Sequence, residues 1–410
     1  MTLPNDSLSP DLKHRNFRHL VMDIAWFGLG IPATARFLSI YAIRLDASAF
    51  LLSLMTSLPA IAAMLSSMFA GWWRSRYDTT VQAQFWPGFG FRLVFLLPAL
   101  TPFFPDDWQP YWLVIAVTLP ALAQGVSSVT FLVLMREGVG IKSLAALTSR
   151  RSLVFNSMFG IGTLLFGFWL QEVAFPLNYQ LMFIAAFGLS LVSMWHVQQV
   201  RTTSSEVRVA AGQPKVRPWK VPAFQRVAFV LITTHVTFFM LAAIIPLRLV
   251  DELDAGEEFM SYFGVAELAA AAAMAFMARR LLHKLGNLHT MSLAMLGTAL
   301  SALILCQTSN LTVTLVASAL SGGSWVLVSL AAFNFFSEHT PPESLTSYST
   351  LFNQIVSLSI FVGPMIGSQL DGVGLELTTI LLIGALLRMI AAGLTLINPF
   401  DRIRRPASAV

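Results

Sequence analysis

Long apolar runs, each bounded by charged or turn-forming residues, succeed one another along nearly the whole chain. A run of roughly 17–25 residues suffices to cross a bilayer as a helix. Such runs fall near 19–43, 49–73, 85–105, 110–135, 150–171 and 179–199, and again near 225–250, 259–282, 289–308, 311–337, 347–370 and 376–398. They predict an all-α integral membrane protein with twelve transmembrane helices. Membrane strands are disfavoured, because the runs are continuous and lack a ten-residue alternation. Composition agrees. Charged residues make up 11% of the chain and hydrophobic ones 56%, with a mean hydropathy of +0.69, whereas a soluble domain carries about 25% charged residues.

The basic residues test that count. Twelve spans put both termini on one side, and basic residues gather on the cytoplasmic side. With a cytoplasmic N-terminus, the inner segments hold Lys13, Arg15 and Arg18, then Arg74 and Arg76, then Arg136, Lys142, Arg150 and Arg151. Later inner segments hold Arg201, Arg208, Lys215, Arg217, Lys220 and Arg226, then Arg279, Arg280 and Lys284, and finally Arg402, Arg404 and Arg405. Together these are 21 of the 26 basic residues. The outer loops are acidic instead, as at Asp106, Asp107, Asp251, Glu252, Asp254, Glu257 and Glu258. The pI near 9.6 therefore reads as topology and not as nucleic-acid binding. The polar lead before residue 19 has no small-residue cleavage pattern after it, so the first span is expected to be retained. Short loops throughout point to a bacterial inner membrane. The single cysteine, Cys306, excludes an intrachain disulfide.

Residues 200–224 form the longest polar stretch and are expected to link two halves, 1–199 and 225–410. Internal matches recur about 200 residues apart, as repeats require. Ser152-Leu153-Val154-Phe155-Asn156 matches Ser349-Thr350-Leu351-Phe352-Asn353, and Ala121-Leu122-Ala123-Gln124-Gly125 matches Ala319-Leu320-Ser321-Gly322-Gly323. Leu45-Asp46-Ala47, after the first span, matches Leu253-Asp254-Ala255, after the seventh. Each half holds an even number of spans, so both share one orientation.

Two six-helix halves joined by a basic linker resemble the major facilitator superfamily over nearly the whole chain. After the second span that family has a Gly-x-x-x-Asp-Arg-x-Gly-Arg loop. Here Gly71-Trp72-Trp73-Arg74-Ser75-Arg76-Tyr77-Asp78 keeps Gly71 and Arg76, with Ser75 in place of the acid. Gly363-Pro364-Met365-Ile366-Gly367 in the eleventh span is similar to the family's glycine–proline packing motif, and Gly160-Ile161-Gly162 with Gly167 in the fifth lacks the proline. The resemblance implies a secondary transporter whose halves rock about a midplane site. It also implies that the first, fourth, seventh and tenth helices line the cavity.

A charge at the bilayer centre costs about 2.5–3.5 kcal/mol on insertion scales, so each one there needs a reason. Five qualify: Asp23, Arg36, Arg92, Glu267 and Arg388. Arg36 and Glu267 lie at similar depth and are expected to form either a substrate- or proton-coupling pair or a structural salt bridge. Asp23 and Arg92 share the inner third of their helices and read as a gating or packing pair. Arg388 has no acid at its depth and is expected either to reach a carbonyl or to snorkel inward. Among neutral groups, Gln124, His235 and Trp325 occupy cavity-type helices, although a lone helix histidine is more often structural than a proton carrier. Asn156 and Asn353 occupy equivalent positions near the inner ends and read as matched helix-start or gate hydrogen-bonding residues.

No Gly-Lys-Ser/Thr phosphate loop is present, and neither a metal-ligand cluster nor room for a catalytic domain is evident, so no enzyme activity and no cofactor are expected. The leading reading is a monomeric carrier coupled to protons or another gradient, with efflux of an amphipathic or drug-like small molecule favoured over uptake of a sugar. The competing reading is a transporter-like fold serving as a sensor or assembly factor. The expected partners are the lipid bilayer, the substrate and protons.

Overall fold

The computed structural model describes residues 9–202, 218–340 and 345–397, and all regular structure among them is helical. The chain forms two compact units, Met1–Val209 with Gly256–Val265 and Ala210–Ala255 with Ala266–Val410. Most of the linker expected at 200–224 lies outside the described residues, as do Arg402, Arg404 and Arg405. Ten helices among those described are long and apolar enough to cross a membrane.

In the first unit, α1 (Pro10–Gly30) begins with Ser9 accepting from the Leu12 N–H, with Pro10 and Asp11 in the first turn. These residues satisfy or need no free N–H and match the helix dipole. The first span is then interrupted: α2 (Pro32–Ala35) is followed by Arg36, which leaves the helical region, and by α3 (Phe37–Arg44). Next come α4 (Ala49–Ser67) and the short α5 (Ala70–Arg74). A capping box between Thr79 and Gln82 opens α6 (Thr80–Leu96), which tightens into a 3-10 segment, Leu97–Phe103, containing Pro98 and Pro102. Long helices α7 (Gln109–Val139) and α8 (Ile141–Glu172) meet at Gly140, whose φ of 78° disfavours any residue with a Cβ. The last is α9 (Leu177–Gln198).

Two expectations need correction here. The third helix starts at Thr80, ahead of the expected 85, because the capping box fixes its first turn. The fifth begins at Ile141, well before 150, since no breaker follows Gly140 and a polar run need not be a loop. Asn156 therefore sits inside α8 and not at its start, and its Nδ2 donates to the Ser152 carbonyl at 2.9 Å. Asn353 likewise lies within α14 (Leu345–Gly372).

The second unit opens with α10 (Pro222–Phe239), a turn at Met240–Ala243, α11 (Ile244–Leu247) and a π-turn at Arg248–Glu252. It continues in α12 (Glu257–Gln307), whose first residues belong to the first unit. Gly286, at φ 74°, divides this 51-residue helix in two. Helices α13 (Leu311–Glu338), α14 and α15 (Leu377–Leu396) complete it. The first and seventh spans are thus broken at matching places. Each then ends in an aspartate with a positive φ, 57° at Asp46 and 53° at Asp254. Non-glycine residues rarely adopt that state, so the Leu-Asp-Ala match extends from letters to backbone geometry.

Glycines set how closely the helices approach. A Cβ on Gly162 would strike the Leu29 carbonyl, and one on Gly125 the Ala63 carbonyl. In the second unit Gly363 lies under Val236 and Phe239, and Gly367 under the Met240 carbonyl, so the glycine–proline motif packs against the break after α10. Small residues allow such contact where lipid gives helices no hydrophobic drive to associate. Gly162→Ala is therefore expected to cost about 1–3 kcal/mol by overpacking, read as a lower Tm in detergent. Gly160→Ala, which points into open space, should leave Tm unchanged or raise it.

Candidate functional site

Asp23 on α1 is 4% exposed and is the centre of a charged knot inside the first unit. Its Oδ2 accepts from Arg151 Nη1 at 2.8 Å, and its Oδ1 accepts from the Ser193 hydroxyl at 2.7 Å. Arg92 Nη2 stands 3.8 Å from Oδ1. Arg92 is held in turn by the Ser190 carbonyl at 2.7 Å, the Gly88 carbonyl at 2.8 Å and the Ser193 Oγ at 2.8 Å. Arg151 also donates to the Leu20 carbonyl. Four helices, α1, α6, α8 and α9, are tied by these bonds. A second polar chain lies alongside: Gln84 donates to Ser127 at 2.7 Å and accepts from Thr130.

Both groups border a cavity of about 290 Å³, lined further by Gln124, Ser128 and the rings of Phe27, Phe91 and Phe131. Arg92 stacks 5.8 Å from the Phe27 centroid and Arg151 4.8 Å from that of Phe131. The wall is amphipathic, and its two guanidiniums outnumber its one carboxylate. Such a lining suits a ligand with an apolar body and a few polar groups.

The second unit holds a different arrangement. Trp325 on α13 stacks on Phe238 at 3.7 Å and meets His235 edge-on at 5.2 Å and Phe239 at 5.5 Å. His235 Nδ1 is 3.0 Å from the Leu231 carbonyl. A carbonyl only accepts, so Nδ1 carries the hydrogen. Arg388, 1% exposed, donates to the carbonyls of Thr237 (3.2 Å), Phe238 (2.8 Å) and Thr298 (2.9 Å), with its guanidinium 4.9 Å from the Phe238 ring. Two of those carbonyls end α10, where the broken helix leaves them without an intrahelical partner.

Each of the remaining candidates has its own surroundings. Arg36 sits at the break in the first span, 5.7 Å from the Phe159 centroid, where a Cβ on Gly264 would come within 3.2 Å of its Nε. Glu267 on α12 packs beneath Gly322 of α13, whose missing Cβ makes room for it. Gly71 faces open space, and Arg76 lies 3.8 Å over Trp72. Arg74 binds Thr80 Oγ1 and the Tyr77 carbonyl, both at 2.7 Å, so neutral oxygens hold the loop's buried cation. Sequence reasoning does not find Arg151, Ser193, Gln84, Ser127 or Thr130. The basic-residue pattern puts Arg151 in a cytoplasmic segment, and only an uninterrupted helix from Ile141 signals that it turns inward. Nothing marks the serines and the threonine, which are ordinary in membrane helices.

The sequence profile of the Major Facilitator Superfamily matches residues 20–364. The chain belongs to that superfamily and is a secondary transporter of its class. No curated protein matches it at the level of sequence. Solved structures share its fold. A point mutant of the nucleoside transporter NupG is 9% identical with a TM-score of 0.72, covering 94% of this chain and 99% of its own. The POT family transporter PepTSo is 11% identical at 0.70, covering 95% and 99%. A bacterial homologue of the iron transporter ferroportin, in an inward-facing state, is 13% identical at 0.68, covering 93% and 98%.

Removing the carboxylate from the knot leaves two buried guanidiniums without their anion. Asp23→Leu is expected to destabilise the protein by about 3–5 kcal/mol, whereas Ser193→Ala should cost about 1 kcal/mol. Thermal unfolding in detergent measures both, and equal small effects would rule out the knot as a stability centre.

Proposed function

We propose that this transporter exports a small amphipathic molecule across a bacterial inner membrane, driven by protons, and acts as a monomer by alternating access. The cavity of the first unit carries this reading. Phenylalanine rings, amides, hydroxyls and two guanidiniums line about 290 Å³, a volume that suits a small ligand better than a large one. A sugar would call for more carboxylate and amide partners than this wall offers.

Twelve spans with both termini cytoplasmic remain the topology proposed. Ten helices meet the length and hydropathy needed to cross. Gly286 splits the 51 residues of α12, which at 1.5 Å per residue would reach far beyond the roughly 30 Å hydrocarbon core. Helix α6 spans 17 residues, and its 3-10 extension brings it to membrane length. The halves proposed are 1–199 and 225–410, with the breaks at Arg36 and at Met240–Ala243 as the places where each lead helix bends. Gly363, Pro364 and Gly367 support the second break as a packing hinge. Asp23 and Arg92 are the proposed gating pair, with Arg151 added. Arg36, Gln124, His235 and Trp325 are proposed substrate contacts.

Glu267 is the proposed proton carrier, since a carboxylate at membrane depth is where proton relays run. Proteoliposomes with an imposed pH gradient test this with amphipathic fluorescent substrates. Glu267→Gln should reduce gradient-driven flux to the leak of empty liposomes while sparing substrate exchange without a gradient. Undiminished driven flux in the variant would sink the coupling role, and no flux of any substrate by the wild type would sink the transport reading.

A further inference from the structure

The start of α1 presents one polar face. Asp11, His14, Arg15, Arg18 and His19 succeed one another at separations of one or three residues, with the apolar Met22 three further on, which gathers them on a single stripe. His196 of α9 closes this stripe into a pocket of about 530 Å³. The Nδ1 atoms of His19 and His196 approach to 3.0 Å, so one donates to the other and the two helices are fastened at the pocket floor. Next to it stand two half-exposed apolar side chains. Met22 is 49% exposed, and Trp195, edge-on to His19 at 6.2 Å, is 56% exposed.

The pocket chemistry selects its ligand. Two guanidiniums against one carboxylate repel a metal cation, and no group of three metal-ligating side chains occurs among the described residues. Arginine forks match the paired oxygens of a phosphate, and histidine ring N–H groups add donors. A free anion would make no use of Met22 and Trp195. A tryptophan at the end of a span marks the membrane–water interface, where its ring sits at headgroup level. Basic pockets between spans hold anionic headgroups in the same way. We infer that this pocket binds the headgroup phosphate of an anionic phospholipid, with its acyl chains against Met22 and Trp195. The site is separate from the cavity around Asp23 and needs no transport activity.

Trp195 provides a local readout. Full-length protein is reconstituted with brominated phosphatidylglycerol or brominated phosphatidylcholine at equal mole fraction, and the quenching of Trp195 is taken as wild type minus Trp195→Phe. An arginine beside an anionic surface gives about fivefold enrichment, so quenching by the glycerol lipid should exceed that by the choline lipid several-fold. Arg15→Gln with Arg18→Gln should abolish the excess and leave choline-lipid quenching unchanged. Asp11→Asn, which keeps both arginines and removes the opposing charge, should enlarge it. Equal quenching by the two lipids in the wild type overturns the inference without recourse to any variant. So does an excess that survives loss of both arginines or that shrinks in Asp11→Asn. A change in Trp195 fluorescence on adding soluble glycerol phosphate to protein in choline-lipid vesicles, with no excess from the glycerol lipid, would assign the pocket to a free anion and overturn the lipid reading.

Discussion

Hydrocarbon offers no water to a peptide N–H or C=O, so every backbone group within the bilayer must find its partner inside the protein. That constraint makes the described chain helical throughout, and it also decides where departures from helix are affordable. The first span breaks around Ile31–Arg36, where Pro32 has no N–H to satisfy and the Thr34 hydroxyl returns to the Ile31 carbonyl at 3.2 Å. The seventh breaks after Phe239, and Arg388 supplies donors to the carbonyls the break exposes. At the first break the Ile31 carbonyl also accepts from the Thr34 and Ala35 N–H groups, so backbone bonds bridge the bend, whereas at the second a side chain supplies the donors.

Buried arginines meet the same constraint in two ways. Arg92 and Arg151 converge on Asp23, and their remaining bonds go to carbonyls and Ser193. Arg388 has carbonyl acceptors and the face of Phe238. The first arrangement joins four helices through one carboxylate and leaves a positive surplus beside an open cavity. The second turns a cation into a helix cap and presses Phe238 against Trp325. One unit thus presents a polar, charged wall and the other an aromatic one, from a chain whose two halves carry related segments.

Membrane-crossing runs were legible in the letters because hydropathy is a local, additive property of about twenty residues. The Leu-Asp-Ala match was legible too, and the shared positive φ of Asp46 and Asp254 shows it to be a repeated turn. Less legible was which residues of a run face one another. Asp23 and Arg92 suggest a pair by depth alone, yet the shortest bond to Asp23 from a cation comes from Arg151, a residue whose polar neighbours make it look like loop. The Gln84–Ser127–Thr130 chain left no mark, because amides and hydroxyls in membrane helices usually bond to their own backbone.

Sequence by itself determined that this protein lives in a bilayer, is built of helices, carries matching segments about 200 residues apart and resembles the major facilitator superfamily. Those features follow from composition, run length and periodicity, which need no knowledge of neighbours. Tertiary structure decided the lengths of α6 and α8, the breaks in the first and seventh spans, and the residues gathered around Asp23 and Trp325. Rotation of a helix about its axis sets those last features, and it depends on glycine contacts such as Gly162 on Leu29 and Gly367 on Met240. A one-residue step turns a side chain by about 100°, so whether Arg151 meets water or Asp23 is settled by packing and not by its place in the chain.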